Sequence, residues 1–230
     1  MSVKSALAVL VCTACLFGGS RAHSHGGPLS VVWTFDRTDS IGGHPTLKLG
    51  DPVVIATPIG KAVFFDGIDD GLIVQANPVG DATAFTIEAV FKPDSSYPNN
   101  REQRFIHIQN PVNENRRILM ELRLVPNQQW FLDTFIKSDS SSLALFAKDF
   151  PHPLGAWQHA ALVYQNGTMR HYLNGKEEMS GSVQYLPIEG GATSIGVRMN
   201  RLFWFKGAVR MLKITRQALP PADLMIEPKR

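Results

Sequence analysis

The chain has 230 residues, 44% hydrophobic and 19% charged, a length that one β-rich or mixed domain reaches and that buries a core without disulfide staples. Its 23 Lys and Arg against 20 Asp and Glu leave a formal charge of +3, which excludes an electrostatic nucleic-acid binder and an acidic disordered chain. Nineteen Gly, 15 Pro, 13 Phe and 4 Trp suit short strands joined by turns better than long helices.

Residues 1–22 read as a cleaved export signal. Lys4 supplies the positive start, Ser5 to Phe17 the apolar run, and Ser20-Arg21-Ala22 the small residues that a signal peptidase reads. The run is shorter than the ~20 apolar residues of a membrane-spanning helix. A lipid anchor on Cys15 is disfavoured, because Cys12 stands where a lipobox has Leu. Both cysteines leave with the signal, so the mature chain is predicted to be thiol-free, with 21 basic against 20 acidic residues. Residues 23–29 form a polar leader. If cleavage follows Ala22, His23-Ser24-His25 has the free amine and third-position His that chelate Cu(II) or Ni(II); the plain reading is a leader without metal.

Period-two alternation begins near Leu29. Val31, Trp33 and Phe35 alternate with Val32, Thr34 and Asp36. Phe85, Ile87, Ala89 and Phe91 then face one way, with Thr86, Glu88 and Lys92 the other. Ile118, Met120, Leu122 and Leu124 alternate with Glu121 and Arg123, and Trp130, Leu132, Thr134 and Ile136 with Phe131, Asp133 and Phe135. Such alternation predicts half-buried antiparallel strands. Asn166-Gly167 and Asn174-Gly175 predict type I′ hairpins, making Trp157–Tyr164, Thr168–Leu173 and Lys176 onward a meander. The prolines, Pro45, Pro93 and Pro153 among them, are expected between strands. Residues 93–103 and 137–142 read as polar loops, and Pro220–Met225 as the one helical turn. About a dozen strands without crossover helices predict an all-β, antiparallel two-sheet sandwich.

Several segments, in this order, are similar to laminin-G-like domains of the concanavalin A-like lectin/glucanase superfamily. They are Val31 to Asp36, Lys61-Ala62-Val63-Phe64-Phe65-Asp66-Gly67, Phe85-Thr86-Ile87-Glu88-Ala89, Trp157-Gln158-His159 with Asn174-Gly175-Lys176, Ser194-Ile195-Gly196, and Phe205-Lys206-Gly207. The resemblance covers about residues 30–225, with 226–230 as a tail. It implies a jelly roll of two curved sheets. It also places Trp157 and His159 in packing roles. The superfamily holds lectins, adhesion domains, glucanases and lyases, so residues at the site must decide function.

The enzyme reading finds little support. A retaining glucanase of this fold carries its carboxylates as Glu-x-Asp-x-x-Glu on one strand, and no such motif is present. Met120-Glu121-Leu122-Arg123 keeps only a fragment of an alginate-lyase strand, and His107-Ile108-Gln109 has that family's pair reversed. The expected function is a secreted, non-catalytic module that binds a polysaccharide or glycan, or an extracellular protein, with no nucleic acid and no membrane insertion. The alternatives are a hydrolase or lyase of the same fold and a structural or adhesive module. The candidate ligand-binding residues are His107, Glu121, Arg123, Trp130 and Asp133, with Trp204 as a second stacking ring. Planar polar groups suit sugar hydroxyls, and aromatic rings suit sugar CH faces. An ordinary solvated strand face and a core Trp130 are the plain alternatives.

No cofactor is expected. The family's common structural calcium is predicted to be weak or missing, because Arg210 and Met211 stand where an acidic pair is usual. Arg210 either points to solvent or replaces the metal as countercharge by pairing with Asp36, while Asp66, Asp69 and Asp70 are the remaining candidate ligands.

Overall fold

The computed structural model describes residues 29–225. The predicted signal, the His23-His25 leader and the tail at 226–230 lie outside the described residues. The first strands are β1 (Ser30–Thr34), β2 (Ser40–Ile41), β3 (His44–Leu49), β4 (Val53–Thr57), β5 (Gly60–Asp66) and β6 (Gly71–Val74). Then come β7 (Phe85–Pro93), β8 (Glu102–Gln109), β9 (Arg116–Val125), β10 (Gln129–Ser138), β11 (Ser141–Phe146) and β12 (His152–Pro153). The last are β13 (Gln158–Gln165), β14 (Thr168–Leu173), β15 (Lys176–Ser182), β16 (Ala192–Ile195) and β17 (Lys206–Thr215), before a 3₁₀ turn at Pro221–Asp223.

These strands build the predicted jelly-roll sandwich of two antiparallel sheets. One sheet runs β15-β14-β13-β7-β17-β5-β4, with β1 beside the second half of β17. The other runs β11-β10-β9-β8-β16-β6-β3-β2, with β12 on the start of β10. The core fills the space between them. Phe85, Ile87, Ala89 and Phe91 from β7 and Ile118, Met120, Leu122 and Leu124 from β9 belong to one apolar cluster. Phe91 stacks on Phe105 at 4.2 Å and meets Trp130 edge-on at 5.5 Å.

Both predicted hairpins form. Asn166 and Gly167 have φ of 49° and 77°, and Asn174 and Gly175 have 51° and 80°, the positive pair that a type I′ turn requires. Other expectations need correction. Pro45 stands inside β3 where it faces the two-residue β2, Pro93 ends β7, and Pro153 lies in the short β12. All three occupy edges or strand ends, where a missing donor is tolerated. Residues 137–142 make a tight hairpin closed by Asp139 at φ 52°, not an open loop.

The outward face of β7 is buried too. Thr86 and Glu88 are covered by the C-terminal segment, where Leu219 N–H donates to Thr86 Oγ1 at 2.9 Å and Leu224 packs on Ala161, Val163 and Tyr172. His159 is therefore not part of the inter-sheet core. It lies on this covered outer face, with Nε2 3.1 Å from Glu88 Oε1, and Lys213 Nζ is 2.9 Å from the other Glu88 oxygen. Trp157 is half-buried at the start of β13 and lines a cleft with Pro58 and Lys92.

Candidate functional site

The outer face of the nine-stranded sheet carries a polar patch. On β9 the alternation that sends Met120 and Leu122 inward leaves Arg117, Leu119, Glu121 and Arg123 outward. On β8 strict alternation would put Arg104 and His107, three apart, on opposite faces. A β-bulge at Phe105 corrects this: Arg104 pairs with Glu121, but His107 pairs with Leu119. Both side chains therefore share the outer face. Cross-strand rows follow. Arg104, Glu121, Asp133 and Phe146 form one across β8 to β11, flanked by Glu102-Arg123-Phe131 and by His107-Leu119-Phe135-Ala144.

The charges interlock. Arg104 Nη1 lies 3.0 Å from Glu102 and its Nη2 3.1 Å from Glu121. Arg123 Nε lies 2.8 Å from Asp133, and its Nη1 pairs with Glu102. Glu121 and Asp133 are 4% and 1% exposed and stand directly opposite each other on β9 and β10. Two carboxylates so close in a buried place disfavour a second negative charge. Burial first, and the Asp133 charge second, raise the Glu121 carboxyl to about 8. Burial also raises Asp133, against the pull of Arg123. Burial acts the same way on Glu102, but Arg104 and Arg123 outweigh it and hold that carboxyl below its usual range.

Two clefts adjoin over this patch. One, of about 200 Å³, has Leu119, Glu121 and Asp133 in its lining, with Phe135 and Phe146 to one side and Arg198 to the other. The second, of about 410 Å³, shares Arg123 and Phe146 and extends along Phe131 and Val125. Guanidiniums sit over rings throughout: Arg123 over Phe146 at 5.2 Å, Arg117 over Phe135 at 5.3 Å, Arg104 over Phe203 at 3.8 Å. The Arg198 wall is the loop between β16 and β17. It is pinned by Arg104 N–H to Phe203 O at 3.0 Å and Met199 N–H to His107 Nδ1 at 2.9 Å.

Of the sequence-predicted site residues, Glu121, Arg123 and Asp133 come together here. His107 lies beneath, fully buried; desolvation and the Arg198, Arg117 and Arg104 charges push its ring well below its usual pKa. Its Nδ1 accepts, so the ring is neutral with the proton on Nε2. Trp130 does not join them. Period two puts it on the inward face, where it is fully buried with Nε1–H donating to Pro153 O at 3.2 Å, so no ligand can stack on it. Trp204 is half-buried against Gly71 and does not line these clefts. Sequence reasoning missed Arg104, Arg117, Arg198, Phe135 and Phe146. The alternation itself pointed to Phe131 and Phe135, since they share the face of Asp133. Arg198 gave no periodic signal, because it is on a loop.

The acidic turn brings Asp66, Asp69 and Asp70 carboxylate oxygens within 4.8 Å of one another. Most of that capacity is spent on the turn. Asp66 Oδ1 accepts from Ile68, Asp69 and Asp70 N–H, and Asp70 accepts from Asp51 at 2.7 Å and Asp66 at 3.0 Å. Three carboxylates largely committed to backbone N–H groups fall short of the six to eight oxygens that calcium takes, so the turn by itself fits calcium poorly. Arg210, the bulge residue of β17, shares a small cleft with Asp36 and Lys61.

A family model described as the Concanavalin A-like lectin/glucanases superfamily, of laminin-G-like type, matches residues 66–225. A search of curated protein sequences gives no significant match. Among solved structures, the chain is similar to domain 4 of AbnA, a GH43 extracellular arabinanase from Geobacillus stearothermophilus, in complex with arabinotriose. Identity is 21% and the TM-score 0.59, over 84% of this chain and 94% of that one. It is similar to the binding domain of botulinum neurotoxin DC in complex with SialylT, at 15% identity and a TM-score of 0.62, over 85% of this chain and 50% of that one. A third is the native heptameric SAP-like pentraxin from Limulus polyphemus, at 14% identity and 0.52, over 84% and 78%. At these identities the likeness is one of fold.

Proposed function

Because the chain belongs to the concanavalin A-like lectin/glucanase superfamily, through a laminin-G-like match over residues 66–225, we propose that it is an exported, non-catalytic carbohydrate-binding module. Its ligand lies across the outer face of the nine-stranded sheet. The observation that carries this reading is the groove formed by the two adjoining clefts, with aromatic rings at its side and a fixed polar array on its floor. Phe146 is 43% exposed and Phe131 half-buried, so each offers a ring to a sugar CH face. Arg104, Arg123 and the protonated Glu121 offer planar donors and acceptors held in register by their neighbours, the preorganisation that lowers the entropy of binding. The arabinotriose complex of the first structural neighbour supports a sugar as ligand.

Catalysis is the weaker reading. A retaining glycosidase needs two carboxyls ~5–5.5 Å apart, on opposite sides of the scissile bond. Glu121 and Asp133 stand directly opposite each other on adjacent strands of one sheet, which leaves no room for a sugar between them. The predicted signal and the extracellular arabinanase neighbour support an extracellular setting.

The test is a glycan array with the full chain, followed by calorimetry on the best ligand. Phe146→Ala removes an exposed ring, so it is expected to weaken binding roughly tenfold with an unchanged melting temperature. Arg123→Ala is expected to abolish binding but also to lower stability by about 3 kcal/mol, since it leaves the buried Asp133 without its guanidinium partner. Undiminished binding by Phe146→Ala would place the ligand elsewhere.

A further inference from the structure

Two of the four arginines around the smaller cleft form no ion pair. Arg104 is paired with Glu102 and Glu121, and Arg123 with Glu102 and Asp133. Arg117 and Arg198 are different. Among the described residues neither has an ion-pair partner. Arg117 donates to the Glu114 backbone carbonyl, and the Glu114 and Glu121 carboxyls act on it only from beyond ion-pair distance. Both arginines line the same cleft, and both are half-buried.

The position of Arg198 is built, not incidental. Its own N–H donates to Leu202 O at 3.1 Å and its carbonyl accepts from Arg201 at 2.8 Å, closing a turn. The next residue, Met199, is tied to the buried neutral His107 beneath. Arg117 is held over the Phe135 ring. Two like charges are thus kept near each other on fixed backbone, against their mutual repulsion. Burial and the Arg198 charge both favour the loss of charge from Arg117. An anion between them would relieve both terms and gain charge-assisted hydrogen bonds.

We infer that the sugar bound in this groove is acidic, with a ring carboxylate held between Arg117 and Arg198 while Arg123, Glu121 and Phe146 take the neutral part of the chain. This rests on the carbohydrate reading above and names the class of sugar. It also assigns His107 a positioning role, through the loop that carries Arg198, and no ligand contact.

The experiment uses matched pairs: oligomers of galacturonic acid, of glucuronic acid-containing chains and of alginate, each beside its carboxyl-reduced neutral form, with a sulfated oligosaccharide as a further arm. The full chain and Arg117→Gln, Arg198→Gln and the double variant are titrated by calorimetry, with melting temperature as the fold control. The expected result is preference for at least one carboxylated oligomer over its reduced form by roughly tenfold or more. The double variant should lose that preference, while binding of the neutral form and the melting temperature stay unchanged. Equal binding of acidic and reduced forms, or an acidic preference that survives in the double variant, overturns the inference and leaves the carbohydrate reading standing. A preference for the sulfated arm over every carboxylate overturns the carboxylate assignment. Failure to bind any member of the panel overturns the acidic-sugar inference, while the carbohydrate reading falls only if the glycan array is also blank.

Discussion

At the Glu121–Asp133 pair a surface-looking strand residue becomes a buried acid. Alternation with Met120 and Leu122 makes Glu121 read as solvent-facing, yet with Arg104, Arg123 and Asp133 gathered around it the residue is 4% exposed. With a folded pKa of about 8 against an ordinary 4.5, the native state holds its proton through a range in which the unfolded chain has lost it. The contribution is therefore complete below about pH 4.5, declines as pH rises, and is gone above about pH 8. Asp133 is raised by burial as well and acts with the same sign. Glu121→Gln keeps a donor and cannot ionise. The variant is expected to match the wild type in melting temperature near pH 5 and to exceed it near pH 9, in paired melts across that range. A wild-type curve parallel to the variant's would mean that Glu121 ionises freely in the fold.

At the scale of elements, the β7 strand shows what a central position does. Its apolar face belongs to the core, but its polar face is buried as well, beneath a C-terminal segment that hydrogen-bonds Thr86 through Gln217 and Leu219. The segment is held by a small apolar cluster around Leu224, which is 4% exposed. Leu224→Ala is expected to destabilise the protein by about 2 kcal/mol, read by chemical denaturation, because it loosens the cover over the buried Glu88-Lys213 pair. A change below about 0.5 kcal/mol would show that the segment is an ornament on a self-sufficient sheet. Elements also place the site. The Phe105 bulge brings Arg104 and His107 to one face, and the loop before β17 adds the wall that carries Arg198.

For the described residues, which include no cysteine, stability rests on the core between the sheets. The one compact acidic group among the described residues, Asp66, Asp69 and Asp70, spends most of its acceptors on its own turn. Arg210 and Met211 offer no acidic ligand on the late strand. The melting temperature is therefore expected to shift by no more than about 2 °C between millimolar calcium and excess chelator, which for a domain of this size is under about 1 kcal/mol. A larger chelator-induced drop would place a structural ion in the acidic turn. No helix among the described residues is long and apolar enough to cross a membrane.

What the chain determined by itself was local. Period two assigned the inward face of each long strand, Asn-Gly pairs set two hairpins with positive φ, and the order of segments marked a laminin-G-like jelly roll. Those signals act between residues a few positions apart, so they are visible in one dimension. The same period placed Trp130 in the core, and the stacking role assigned to it overlooked that. Tertiary structure decided the rest. A single extra residue at Phe105 changed the phase of β8, which no alternation count reveals without the partner strand. Glu121 and Asp133, twelve residues apart, became one buried carboxyl pair only through the β9–β10 register. Arg198 reached Arg117 across 81 positions only because a loop folds back over the sheet. Burial and like-charge proximity give these groups their chemistry, and both are properties of packing that a sequence does not contain.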